Sequence, residues 1–170
     1  NLEASERAYS FLIRQYPQSP LVHEAVYNLG RVLLDDQRTE EALIQFKAIV
    51  DFSGTTERKP DALLDIGKIA LSREDLEEAN RIFDDLRKKF PKSLSAENAY
   101  LVLGGWYANT ENWAGAEAVY RQATTHLSRN ARRQQALLGR ANALRKLNRS
   151  DEALKLYTEF LKAYPKSPFF

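Results

Sequence analysis

A spacing of 37 residues constrains what this chain can fold into more than any other feature of its sequence. Ala42, Ala79, Ala116 and Ala153 stand 37 residues apart, and four positions after each comes an aromatic: Phe46, Phe83, Tyr120 and Tyr157. Ser5 and Tyr9 lie one period earlier, as the remnant of a first half-copy. Gly30, Gly67, Gly104 and Ala141 keep the same interval, with Val26, Leu63, Tyr100 and Leu137 before them and Leu33, Ala70, Tyr107 and Leu144 after. Apolar positions three and four residues apart form one helical stripe, so the same stripe recurs in all four copies. Small residues at its centre let a second helix approach closely.

A period of this length means that each copy is one supersecondary unit, which buries its apolar face only by stacking on its neighbours. Locally each copy reads as two amphipathic helices joined by a short polar turn, at 36–39, 73–75, 110–112 and 148–150, with no strand alternation. The pattern predicts helices over 2–15, 20–36, 39–52, 59–73, 76–89, 94–110, 113–127, 130–147 and 150–164. Proline closes three second helices, as Pro17, Pro91 and Pro165, because it cannot continue the helix before it. Gly54 and Ser128 stand in its place in the other two copies. Ser19-Pro20 and Ser167-Pro168 read as helix starts, a hydroxyl to cap free amides followed by a proline that the first turn tolerates.

At these residues the chain resembles the tetratricopeptide repeat family, whose W-x2-L-G-x2-Y, A-x3-F and P pattern is carried by Val26, Leu29, Gly30, Leu33, Ala42, Phe46 and their counterparts. The resemblance spans residues 2–168 and implies an all-α fold, a right-handed α-solenoid of helix-turn-helix pairs. About four and a half repeats are present: a half repeat at 2–17 and full repeats at 20–54, 57–91, 94–128 and 131–165, in one domain. The fourth full copy departs from the pattern, with Arg140 where Leu29, Ile66 and Leu103 stand in the others. The period exceeds the commonest value of about 34, and the extra residues fall in the links, which read YPQSP and YPKSP. In this the chain is similar to repeat proteins of the bacterial envelope that act as assembly or polysaccharide-export scaffolds, which implies a periplasmic or outer-membrane-associated location, with the cytoplasm as the alternative.

Composition narrows the function classes. At 170 residues, 44% hydrophobic and 28% charged, with 7 Gly and 6 Pro, the chain has the make-up of a folded domain. Cysteine is absent, which removes disulfides and thiolate metal ligands. No apolar run approaches the roughly 20 residues of a membrane span. The lack of any Met and the immediate helical start suggest a segment of a longer protein.

Catalysis needs a constellation, and none is legible. His23 and His126 lie in different repeats with no metal-ligand spacing, and read as solvated helix-end residues; no cofactor is expected. Glu40-Glu41, Glu77-Glu78 and Asp84-Asp85 are adjacent on helices, diverge by about 100°, and read as a solvated face. Trp106 and Trp113 read as packing residues. The expectation is a binding protein, not an enzyme.

Two surfaces are candidates. The family resemblance implies a concave groove on the first helices, which maps a floor onto Tyr27, Leu64, Leu101 and Leu138, with Arg31, Lys68, Gly105 and Asn142 along one edge and Glu24, Asp61, Asn98 and Gln135 along the other. The second candidate is electrostatic. Residues 1–117 hold 14 Lys/Arg against 20 Asp/Glu, and residues 118–170 hold 11 against 3. Arg121, Arg129, Arg132, Arg133, Arg140, Arg145, Lys146 and Arg149 follow one another with no acid between Glu117 and Asp151. That run suggests a docking patch for an acidic protein, an anionic polymer or the acidic end of a second copy. Nucleic acid is disfavoured because no aromatic stacking positions are interleaved with these charges. The primary expectation is a protein or peptide partner in the groove, with self-association through bare solenoid ends as a further contact.

Overall fold

Each copy's apolar stripe forms the seam between two helices, and in the first three full copies an aromatic side chain seated on a glycine locks it. A computed structural model describes residues 2–127 and 131–169. Its nine helices, among the described residues, are α1 (Leu2–Gln15), α2 (Val22–Asp35), α3 (Thr39–Asp51), α4 (Lys59–Ser72), α5 (Leu76–Lys89), α6 (Leu94–Asn109), α7 (Trp113–His126), α8 (Ala131–Lys146) and α9 (Ser150–Ala163), with no strand. The expected boundaries agree to within two residues. Ser128, Arg129 and Asn130, on which the missing proline, one cation and the expected start of α8 fall, lie outside the described residues, as do Asn1 and Phe170. Ser19 does not cap α2: its Oγ accepts from Leu21 N–H at 3.2 Å within a turn, and the helix begins only at Val22. Side-chain caps occur instead at Asp75, Ser93 and Asn112, which accept from the amides of Glu78, Ala96 and Gly115.

Contacts divide the chain into two compact units, Asn1–Phe90 and Pro91–Phe170. In unit 1, helices α1 to α5 pack each on the next in chain order. Phe46 and Phe83 are fully buried in its core, each against the glycine of its own first helix. In unit 2, α6 packs on α7 and α8, α7 on α8, and α8 on α9. Here Tyr120 of α7 lies between two glycines, Gly104 of α6 and Gly139 of α8. Phe160, Leu103 and Leu144 complete the core of this unit.

The turn within each helix pair uses a device that composition conceals. Gln37, Glu74, Glu111 and Asn148, again 37 residues apart, all have positive φ, between 57° and 63°. In the first turn Gln37 N–H donates to Leu34 O at 3.0 Å and Arg38 N–H to Leu33 O at 2.8 Å, and the other three turns repeat this closure. It satisfies carbonyls that the helix end leaves without partners. The left-handed conformation costs a side-chain-bearing residue about 1 to 2 kcal/mol, and glycine avoids that cost. Glu74→Gly is therefore expected to raise stability by about 0.5 to 1 kcal/mol after the entropic cost of glycine, and Asn148→Gly by less, because asparagine tolerates this conformation. Thermal unfolding checks it, and a lower Tm for Glu74→Gly would contradict this account of the turn.

Candidate functional site

In unit 1 the expected groove residues form one polar network. Tyr27 of α2 is half-buried, and its hydroxyl donates to Oδ2 of Asp65 on α4 at 2.8 Å. Lys68 Nζ donates to Oδ1 of the same carboxylate at 2.8 Å. Asp65 is only 4% exposed, so a buried charge holds both groups, and these two bonds satisfy it. Burial pushes the Tyr27 phenol up to about 12, while the Arg31 guanidinium beside it pulls the other way. Arg58 lies 5.1 Å from the Tyr27 ring centroid and donates to Glu24 and Asp61, which ties together two residues of one expected groove edge. Its hydrogen bonds hold the Glu24 carboxyl below the usual carboxylate range. Leu64 departs from expectation: at 6% exposure it belongs to the packed core.

In unit 2, Leu101 and Leu138 are half-exposed at the same repeat position. Asn142 accepts from Tyr157 Oη at 2.8 Å, and Asn98 accepts from Arg132 Nε at 2.7 Å. The expected floor position is thus partly accessible at Tyr27 in unit 1 and at Leu101 and Leu138 in unit 2, and Glu24, Asp61, Lys68, Asn98 and Asn142 of its edges hold internal hydrogen bonds.

The basic run changes most between sequence and structure. The acids missing from residues 118–150 are supplied by neighbouring segments. Arg132 lies 3.7 Å from Glu97, Arg121 lies 3.9 Å from Glu117, and Arg149 donates to Glu152 at 2.6 Å. Lys146 sits over the Trp113 ring at 5.2 Å. Arg140, which as a sequence has no reason to be in its slot, donates through Nε to Glu117 Oε1 at 3.0 Å, and Glu117 is 4% exposed. Arg133 lines a cavity between α8 and α9. Of the expected cations, Arg145 stands exposed, and Arg129 lies outside the described residues. Three carboxylates, Glu97, Glu117 and Glu152, thus meet four of these cations, Glu117 being shared by Arg121 and Arg140, while Arg145 and Lys146 stand exposed.

The remaining expectations resolve as packing or pairing. His23 lies against Phe52 with tilted rings, centroids 4.2 Å apart, and His126 stacks on Tyr100 at 5.8 Å, so neither is merely solvated. The adjacent acids pair outward: Glu41 with Arg38, Glu40 with Arg73, Glu78 with Arg81, Asp84 with Arg87 and Asp85 with Lys89. Among the described residues no three His, Cys, Asp or Glu side chains are placed to hold a metal ion, and no helix is long and apolar enough to cross a membrane. Sequence reasoning missed Asp65 and Glu117. Their signal was available as a charge in a slot filled by Asn28, Val102 and Gly139 in one case, and by Leu43, Asn80 and Leu154 in the other.

Comparison with known proteins agrees with this architecture. A family profile described as tetratricopeptide repeat matches residues 1–61 and 64–131, and a second profile of the same description matches residues 135–167. No curated protein matches the chain in sequence. Among solved structures, a tetratricopeptide repeat protein from Parabacteroides merdae is similar over 98% of this chain, with TM-score 0.68 and 19% identity; the chain spans 61% of that protein. BtubC from P. vanneervenii matches over 98% of the chain and 75% of its own length, with TM-score 0.72 and 12% identity. MamA from Desulfovibrio magneticus matches over 98% and 88%, with TM-score 0.68 and 14% identity. At these identities the likeness is one of fold.

Proposed function

This chain belongs to the tetratricopeptide repeat family, and on that premise we propose that it is a scaffold that holds a partner protein segment on the faces of its first helices. Proteins of this family generally mediate protein–protein interaction. The observation that carries the proposal is the half-exposure of Tyr27, Leu101 and Leu138 at one repeat position, next to helix faces that are otherwise core. Aromatic and leucine side chains left accessible between satisfied polar edges suit an extended or helical peptide, whose own apolar side chains complete the packing. The pairing of Arg121, Arg132, Arg140 and Arg149 with internal acids weighs against the alternative, an anionic polymer or acidic protein on the basic C-terminal third. We place the scaffold in a bacterial envelope assembly or export complex on the strength of the YPQSP and YPKSP links, and fractionation of source cells with an antibody to the chain tests that location.

A photo-crosslinking residue at Leu101 or Leu138 tests the surface itself. It is expected to capture a partner from source-cell extract, whereas the same residue at Arg145 is not. Leu101→Asp should abolish capture at unchanged Tm, with little salt dependence. Capture from Arg145 alone, lost steeply with added salt because exposed charges are screened beyond about 8 Å, would favour the electrostatic reading.

A further inference from the structure

Each second helix of unit 2 turns a phenol toward a first helix, but the two phenols meet different things. Tyr157 of α9 donates through Oη to Asn142 Oδ1 of α8 at 2.8 Å. One period earlier the same two positions hold Tyr120 of α7 and Gly105 of α6. The Tyr120 ring is fixed between Gly104 of α6 and Gly139 of α8, and its hydroxyl lies 3.9 Å from the point where a Cβ at Gly105 would stand. Among the described residues no atom of another helix comes closer to that point, so the missing side chain leaves a notch with the hydroxyl at its base. No described residue bonds to Tyr120 Oη, and burial raises its pKa, which keeps it protonated and able to donate. Gly105 lies one turn beyond Leu101 on the same face of α6, so the notch continues the partly exposed first-helix position.

We propose that the partner segment held on this face places the carboxamide of an asparagine or glutamine in the notch at Gly105, where its oxygen accepts from the Tyr120 hydroxyl. The inference rests on the first-helix reading above and adds the chemistry of one partner side chain. The adjoining copy is the template, because there the carboxamide of Asn142, carried by the protein's own helix, takes the same hydrogen bond from the equivalent phenol. An apolar side chain in the notch would cover the hydroxyl and leave it unsatisfied. A carboxylate also accepts, but Leu101, Gly105 and Leu138 beside it carry no charge to balance its own, so its desolvation costs more than that of an amide.

The test selects peptides from a phage-displayed random library on the 170-residue protein and keeps those that the Leu101→Asp variant no longer binds. These are expected to share an asparagine or glutamine flanked by apolar residues. Exchanging that residue for its apolar near-isostere, leucine for asparagine or methionine for glutamine, should weaken binding about fivefold, the worth of one net hydrogen bond. Tyr120→Phe should weaken the carboxamide peptide by the same factor and leave the apolar peptide unchanged, a coupling that calorimetry on the four combinations measures. Phenylalanine fits this slot, since Phe46 and Phe83 fill it in unit 1. Gly105→Asn, which supplies the acceptor from within as the fourth full copy does, should erase the preference for the carboxamide without lowering Tm. Equal binding of the apolar peptide, an equal loss of both peptides in Tyr120→Phe, or tighter binding when the carboxamide is exchanged for a carboxylate would overturn this proposal and leave the first-helix surface standing. Selected peptides that all survive Leu101→Asp would overturn both.

Discussion

Arg140→Ile is expected to destabilise the protein by about 3 kcal/mol, the lower part of the range for breaking a buried ion pair, because it strands the Glu117 carboxylate in unit 2. Glu117 is 4% exposed, and the other cation paired with it, Arg121, stands 3.9 Å away and is itself largely in solvent. The reverse deletion, Glu117→Leu, should cost less, since the Arg140 side chain retains 22% exposure and can turn its guanidinium to water. The double variant should recover most of the loss. Its two apolar residues reproduce what unit 1 has at the same repeat positions, Leu43 and Ile66, which line one shared cavity. Replacing a buried pair by packed apolar groups is often neutral or better. A double-mutant cycle by urea unfolding measures the coupling; additive losses would mean that the pair does not interact. The same geometry rules out charge reversal at Arg140 as a probe of binding, because it would place two carboxylates together in the core and unfold unit 2 before any partner is lost.

Replacing Gly104 by Leu should cost on the order of 1 to 3 kcal/mol through overpacking, although intrinsic helix propensity favours leucine over glycine. A Cβ built at Gly104 would lie 2.6 Å from the Tyr120 ring, closer than packed carbons approach. The ring has nowhere to retreat, because a Cβ at Gly139 on its other side would also lie 2.6 Å from it. Gly67 faces Phe83 in the same manner in unit 1, and Phe83 is fully buried, so Gly67→Leu should behave alike. The loss should shrink in a Tyr120→Ala background, where the obstructing ring is gone. A Tm for Gly104→Leu equal to or above that of the parent protein would show that the small residue is not there for close approach.

Periodicity carried the helix pairs, the identity of the small and aromatic partners, and the boundaries to within two residues, because one stripe repeated at a fixed interval admits one arrangement of amphipathic helices. The family resemblance, not the period, mapped the groove floor onto Tyr27, Leu101 and Leu138, which are partly exposed. What the sequence could not reveal is everything that depends on which segments meet. Positive φ at Gln37, Glu74, Glu111 and Asn148 was invisible because none of these is glycine, and hydrogen-bond closure of each turn imposes the conformation. The run from Arg121 to Arg149 looked like a cationic patch because charge along a chain counts only neighbours in sequence. Folding brings Glu97 to Arg132 and Glu117 to Arg140, and opposite charges in contact reduce the outward field of those two cations. Leu64 and Tyr27 occupy the same slot of the repeat, yet one is core and the other half-exposed; burial is a property of the packed unit, set by the side chains that surround each position, and no single period of the sequence contains it.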